Sequence, residues 1–509
     1  MVTCRRQIGF FLIIAVFIII NSAKLLEGHG GIKFELTHRR NGATQLERLR
    51  QLLHSDTIRL RGISEKVSQK QGNVNTNIRR QIQEKNTYFP DCTNSTRLKK
   101  DYNVSAELLM RSAADYGIGQ YFVRFRIGSP AQKLMLIADT GSDLTWMNCR
   151  YRCRGASCRR NSRKRRIFRA DHSSSFRAVP CSSSTCKIDL ANLFSLARCA
   201  SPMDPCAYDY SKPAFLLVKP LQLLPTSYIA VMTVIAKYSD GSAALGVFGN
   251  ETVTFSLTNG RKTRLHHVLV GCSESSRGRS FQVADGVMGL GYSNYSFAVK
   301  AANKFGGKFS YCLVDHLSPK NISSYLIFGS HKEVNISFNR MKYTELILGV
   351  INPFYAVNIK GISIGGSMLD IPAETWNLSG VGGVIVDSGS SLTGLTQPAY
   401  QPVMAALRLS LVNFKNLNLD IGPVEYCFNS TGFSESLVQR LVFHFSDGAR
   451  FEPPVKSYVI DAAPGVKCLG FVPAAWPGAS VIGNIMQQNY FWEFDLANGR
   501  LGFATSSCI

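Results

Sequence analysis

The chain has 509 residues, 45% hydrophobic and 18% charged, a globular composition that excludes disordered and collagen-like classes. Its one long apolar run, Ile8–Ile20, is too short to span a bilayer comfortably, which excludes a multi-pass membrane protein. The formal net charge of +24 raises a nucleic-acid-binding class, so the location of that charge matters.

In chain order, Arg5 and Arg6, the apolar run, and the small Ser22 and Ala23 form the basic–apolar–small order of a secretory signal, read as residues 1–23. An uncleaved membrane anchor is the alternative. Residues 24–111 hold 17 Lys/Arg against 9 Asp/Glu, a balance of +8. Leu46, Leu49, Leu52 and Leu53 have helix-compatible spacing there. After Tyr116 the texture changes to short β-branched and aromatic runs between Gly, Ser, Asn and Asp turns, which predicts a mainly β protein. Nearly 400 residues from 112 onward are too many for one core, so two lobes are expected, 112–345 and 346–509.

Ten of the Lys/Arg residues crowd into Arg150–Arg169 before any acid. The plain reading is a solvated loop tethered by nearby disulfides. The functional reading is contact with a polyanion, or cleavage by a basic-specific protease. Aromatic residues are sparse there, so a base-stacking surface is poorly supported. Of 14 cysteines, 12 lie between Cys149 and Cys508, an even number suited to disulfides in an oxidising compartment. No His lies at ligand spacing beside Cys149, Cys153 and Cys158, so no metal is expected. Asn-x-Ser/Thr sequons at Asn94, Asn103, Asn250, Asn294, Asn321, Asn335, Asn377 and Asn429 are candidate glycan acceptors on surface loops.

An internal repeat carries the chemistry. Leu136-Ile137-Ala138-Asp139-Thr140-Gly141-Ser142 recurs as Val384-Ile385-Val386-Asp387-Ser388-Gly389-Ser390. Each copy has an apolar strand further on, Gly286–Gly291 and Val481–Asn484. A buried strand delivers each Asp to a turn, where Thr140 or Ser388 can bond to the other copy. Gly141 and Gly389 permit close backbone approach, and Ser142 and Ser390 can hold their own carboxylates. Two such turns facing each other would let Asp139 and Asp387 share one proton, one acting as base and the other as acid. A water between them could then attack an amide carbonyl. The plain alternative is a pair of turn-stabilising aspartates.

On these motifs the chain resembles the pepsin-like aspartic proteases, and more narrowly the plant nepenthesin-like subgroup, whose mature enzymes carry 12 cysteines. The resemblance covers about residues 118–509. It implies a bilobal, mainly β fold with the active site between two related lobes, and a proenzyme made with residues 24–111 as propeptide. It assigns catalysis to Asp139 and Asp387, flap support to Trp146, flap closure to Tyr238, and a disulfide to Cys427 and Cys468. It implies polypeptide substrates, no cofactor, a monomer, acid-pH activity and a secretory destination, extracellular or vacuolar.

The flap departs from the family pattern. Cys206-Ala207-Tyr208-Asp209-Tyr210 is separated from Lys237-Tyr238-Ser239-Asp240-Gly241-Ser242 by the apolar segment Ser211–Ala236. This segment either decorates the flap strand or is foreign to the fold, such as translated intron; the second reading is favoured because an exposed apolar edge invites aggregation. The insertion keeps a second hypothesis open, a catalytically impaired protease-fold binding or inhibitor protein like the plant xylanase inhibitors. A third, a plastid nucleoid DNA-binding relative, is opposed by the apolar N-terminal run.

Overall fold

The computed structural model describes residues 44–74, 105–151, 166–209, 213–214, 234–235, 243–329 and 341–508, apart from isolated positions at 117, 195, 198, 279, 317, 319–321 and 420. The signal, Tyr238, most of Arg150–Arg169 and the sequons at Asn94, Asn103, Asn321 and Asn335 lie outside the described residues.

The predicted helical spacing becomes α1, Gln45–Val74. A reciprocal capping box opens it: Thr44 N–H donates to Glu47 Oε2 at 2.7 Å, and Glu47 N–H donates to Thr44 Oγ1 at 3.1 Å. These bonds satisfy two groups that the first turn would otherwise leave without partners. Leu53, Leu60, Ile63 and Val67 make a buried stripe that packs on Ile421, Val424, Ile460, Val472 and Leu392. Each such side chain contributes about 1.5–3 kcal/mol through burial, so tertiary packing rather than propensity holds the helix.

The strands that position the site are β1 Ala106–Ser112, β2 Tyr121–Ile127, β3 Gln132–Asp139, β4 Trp146–Arg150 and β5 Phe168–Arg169. The long hairpin β6 Ala243–Ser256 and β7 Lys262–Arg277 follows, then β8 Gly286–Gly289, β9 Lys308–Cys312, β10 Ser324–Phe328 and β11 Lys342–Glu345. The second half contributes β12 Tyr355–Val357, β13 Val384–Val386, β14 Thr393–Thr396, β15 Phe471–Ala474, β16 Ser480–Ile482, β17 Tyr490–Asp495 and β18 Arg500–Thr505. One large sheet runs β11-β18-β17-β9-β10-β1-β2-β3-β8-β4-β7-β6, so the last two strands of the chain return to join the first half. A five-stranded sheet, β12-β13-β16-β14-β15, carries the second repeat.

In both halves the Asp-bearing strand runs parallel to its downstream partner: β3 beside β8, with Asp139 opposite Gly289, and β13 beside β16, with Val386 opposite Ile482. The architecture is the expected mainly β, bilobal one. Strand β1 pairs with β10 on one side and β2 on the other, with Ala106, Leu108 and Met110 buried. A propeptide boundary at 111/112 therefore cuts through an interior strand of the sheet.

Five disulfides join Cys149 to Cys272, Cys181 to Cys199, Cys186 to Cys206, Cys312 to Cys508 and Cys427 to Cys468. The last is the pairing implied by the family resemblance, and it links opposed residues of adjacent strands. Cys181, Cys186 and Cys199 have their sulfurs close together, but each is already bonded to another sulfur and so offers no thiolate to a metal. Asn294, Asn377 and Asn429 are exposed, and Asn250 is half-buried on β6.

Candidate active site

The two repeats meet face to face. Asp139 closes β3 and Asp387 follows β13, and both are buried. Each turn wires its own carboxylate in the same way. Gly141 N–H donates to Asp139 Oδ1 at 2.9 Å and Ser142 Oγ donates to Oδ2 at 2.9 Å. Gly389 N–H donates to Asp387 Oδ1 at 2.9 Å and Ser390 Oγ donates to Oδ2 at 2.6 Å. The intervening hydroxyls cross between halves: Ser388 N–H donates to Thr140 Oγ1 at 2.8 Å, and Thr140 N–H donates to Ser388 Oγ at 3.1 Å. A Cβ on Gly141 would collide with the Asp387 carboxylate, and one on Gly389 with Asp139. Glycine is required at both positions because each lies against the opposite carboxylate. All eight residues of the predicted dyad and its support converge.

Sequence reasoning missed what occupies the space between them. Arg59, projecting from α1, donates through Nη2 to Asp139 Oδ1 at 2.7 Å and to Asp387 Oδ2 at 2.9 Å. Its Nε donates to Asp387 Oδ2 at 3.0 Å and to Ser390 Oγ at 3.1 Å. Burial pushes the Asp139 carboxyl up, but the Arg59 charge and the hydrogen bonds from Arg59, Ser142 and Gly141 outweigh it, leaving Asp139 below the usual carboxylate range. The two carboxylates in turn raise Arg59 despite its burial. One planar guanidinium thus satisfies both acids, as its fork of donors permits.

One turn earlier on α1, the buried carboxylate of Asp56 accepts from the Ser391 and Leu392 N–H groups at 2.8 and 2.6 Å. Burial pushes it up to about 7, against the lowering effects of those amides and of Arg59. Its pH effect is therefore opposite in sign to that of Asp139. A carboxyl raised on docking favours the docked helix in the protonated form and loses that contribution as pH rises through about 7. Asp56→Asn is expected to remove the weakening of α1 docking around pH 7, read by hydrogen–deuterium exchange across residues 45–67 at pH 5.5, 7 and 8. An unchanged pH profile in the variant would refute that role.

A signal for Asp56 was present in the sequence. Leu53, Asp56, Leu60, Ile63 and Val67 share one helical stripe, and a charged residue in an otherwise apolar stripe needs a partner. Asn484 was also missed as a tie: its Nδ2 donates to Ser388 O at 3.0 Å and to Gly119 O at 2.8 Å, fixing the second turn against the chain entering β2.

Trp146 begins β4 fully buried and meets Phe281 edge-on with ring centroids 4.7 Å apart. Its expected flap partner Tyr238 lies outside the described residues. The ends of the intervening segment pair with each other, Pro213 opposite Ile235 and Ala214 opposite Val234. The segment therefore leaves and returns through adjacent backbone.

Comparison with known proteins decides the family. The family model described as "Xylanase inhibitor N-terminal" matches residues 121–216 and 230–330, and "Xylanase inhibitor C-terminal" matches 354–505. The chain is 33% identical over 403 residues to "Aspartyl protease family protein 2" of Arabidopsis thaliana, covering 78% of this chain and 73% of that protein. It belongs to the pepsin-like aspartic protease family. "Aspartic proteinase nepenthesin-1" of Nepenthes gracilis is 30% identical, with 77% and 79% covered. Among solved structures, basic 7S globulin from soybean superposes with a TM-score of 0.56 at 20% identity, covering 79% of this chain and 97% of the globulin. Conglutin gamma from lupine seeds gives 0.58 at 16% identity, covering 79% and 95%. These two likenesses show the fold alone. The break in the N-terminal match at 217–229 falls inside Ser211–Ala236, so only these inner residues are unmatched by the family model, while the two ends of the segment are matched.

Proposed function

We propose that the chain is the latent form of an aspartic endopeptidase, held inactive by α1 and released in acid. The observation that carries the reading is Arg59 bonded to both dyad carboxylates on the floor of the site. While it stays there, neither carboxylate can hold a water or meet a substrate carbonyl. With α1 gone, the like charges of Asp139 and Asp387 favour one shared proton. The ionised partner takes a proton from water, and the protonated partner gives one to the carbonyl oxygen. Gly141, Ser142, Gly389 and Ser390 hold the carboxylates in place throughout, so little reorganisation is needed.

Acid release follows from the sign of the Asp139 shift. A carboxyl held below its usual range by Arg59 stabilises docking above that range and loses the contribution as pH falls through its lowered value. Protonating the dyad removes the charges that Arg59 bridges.

The residues released are proposed to end before β1. Leaving the sheet would expose Ala106, Leu108 and Met110 and strip backbone partners from both β10 and β2. N-terminal sequencing of the acid-activated enzyme is expected to find a start between residues 75 and 105; a start at 111–116 would contradict this.

Export through the secretory route, to the wall space or the vacuole, is the destination we infer from the N-terminal run and the sequons. The ten paired cysteines among the described residues are consistent with it.

The second reading, a protease-fold binding protein, rests on the insertion alone. Deletion of Ser211–Ala236 joins Tyr210 to Lys237 and removes a segment whose described ends, Pro213–Ala214 and Val234–Ile235, pair with each other. The deletion variant is expected to be at least as soluble and as active as the full chain. Loss of activity on deletion would make the segment part of the cleft.

A further inference from the structure

We propose that His316 is the positioning residue of the second dyad turn, holding the Ser388 carbonyl through Asn484 and so aiming the Asp387 carboxylate. His316 acts on catalysis only within the endopeptidase reading above; its hold on the turn stands without it. The ring sits in the turn after β9, stacked on Tyr121 of β2 with centroids 4.9 Å apart and planes 20° apart. Its Nδ1 lies 2.7 Å from Ser112 Oγ at the end of β1. Its Nε2 is buried with no hydrogen-bond partner among the described residues, and so is Asn484 Oδ1. The Asn484 side chain and the Gly119 carbonyl both favour the proton on His316. With Nδ1 taken by Ser112, the nitrogen they face is Nε2.

The tautomer follows from the donors around Nδ1. Ala114 N–H donates to Ser112 Oγ at 3.1 Å, which leaves the hydroxyl hydrogen free to point at Nδ1. A neutral imidazole accepts at one nitrogen and donates at the other, so its proton is on Nε2. That is the donor Asn484 Oδ1 otherwise lacks. Left apart, each atom carries the cost of a buried bond unmade; facing each other, they satisfy one another. The pairing also fixes which way the amide points. Asn484 Nδ2 donates to Ser388 O at 3.0 Å and to Gly119 O at 2.8 Å; turned end for end, its oxygen would face two carbonyls. From Ala114 through Ser112, His316 and Asn484 to Ser388, every hydrogen points the same way, and each bond polarises the next. The chain of bonds ends at Ser388, whose own N–H donates across the lobes to Thr140 Oγ1 at 2.8 Å.

The ionisable groups around the ring leave it neutral at pH 7. Desolvation holds its pKa down to about 4. The adjacent Asp315 favours the proton but is paired with Lys456 at 3.2 Å. Tyr121, held well above its ordinary value by burial, stays a phenol that donates to Val314 O at 2.6 Å and accepts from Gln488 Nε2 at 2.7 Å. Stronger acid adds a hydrogen at Nδ1, which Ser112 Oγ can accept, and leaves the Nε2 donor in place. The tie to Asn484 therefore survives the acid in which the dyad works. Its position matters because misplacing a catalytic group by about 1 Å can cost about a hundredfold in rate.

The test uses the full chain. Ring-nitrogen NMR shifts at pH 7 are expected to show His316 protonated at Nε2 and bare at Nδ1. The opposite tautomer would overturn the proposal, whether or not the chain cleaves peptides. His316→Phe keeps a ring on Tyr121 and loses both polar contacts. Its Ser388 and Gly389 amides should exchange with deuterium roughly tenfold faster, with the amides of β9 unchanged. After acid activation its kcat on a denatured protein should fall on the order of tenfold to a hundredfold, with KM nearly unchanged. His316→Gln, whose amide nitrogen can take the place of Nε2, should regain most of that loss. Equal kcat in His316→Phe and wild type, or as large a fall in His316→Gln, would overturn the positioning role. A wild-type chain that cleaves nothing in acid would overturn the endopeptidase reading instead, and the tautomer and exchange rates then decide whether His316 holds the turn.

Discussion

Asp139→Asn and Asp387→Asn are each expected to abolish peptide hydrolysis while leaving the chain folded. Each carboxyl has one half of a proton relay, and an amide can neither take the proton from water nor supply it to the carbonyl oxygen. General acid–base steps of this kind contribute roughly 10²–10⁴-fold each, and losing either stops the relay. Folding should survive because Asn preserves the shape: its oxygen can still accept from the Gly141 or Gly389 N–H, and its amide nitrogen can donate to the Ser142 or Ser390 hydroxyl, which rotates to accept. The cross-lobe bonds between Thr140 and Ser388 do not involve the carboxylates. Circular dichroism and turnover of a denatured protein substrate, measured together, check this; turnover within tenfold of wild type in either variant would remove that residue from the catalytic role.

Arg59→Ala is expected to have the second-largest effect, on latency rather than chemistry. The substitution leaves two buried carboxylates without their counter-charge, and breaking a buried ion pair by removing one partner costs about 3–5 kcal/mol. Part of that is recovered when the dyad binds a proton, so the loss falls mainly on α1 docking above the carboxylate range. The undocked population should rise on the order of a hundredfold or more. The variant should therefore process itself at a higher pH than wild type. Arg59→Lys keeps one charge but not the fork, and should lie between. Arg61→Ala, an exposed position on the same helix, should behave as wild type. If the pH of self-processing is the same in Arg59→Ala and wild type, Arg59 is not the latch.

The sequence made the catalytic carboxylates legible because a repeated D-[TS]-G-S turn leaves few roles for its residues. Strand alternation and turn residues indicated a β protein, and the wiring of Gly141, Ser142, Gly389 and Ser390 followed from chemistry available within three residues. Arg59 and Asp56 were not legible in the same way. Their partners lie about 80 to 340 residues away along the chain, and a charge excess over residues 24–111 says nothing about which cation reaches the dyad. The position of β1 was hidden for a related reason. Ala106–Ser112 alternates buried and exposed residues, but its neighbours come from opposite directions in sequence, so the pattern alone could not distinguish an interior strand from a dispensable leader.

Latency and chemistry meet in one experiment: hydrolysis of a denatured protein by the purified full chain before and after acidification, with and without pepstatin. The expected result is no cleavage at pH 7, cleavage after acidification accompanied by loss of residues 24–74, and suppression of that cleavage by pepstatin. No cleavage in acid, or cleavage that pepstatin leaves untouched, would contradict the account.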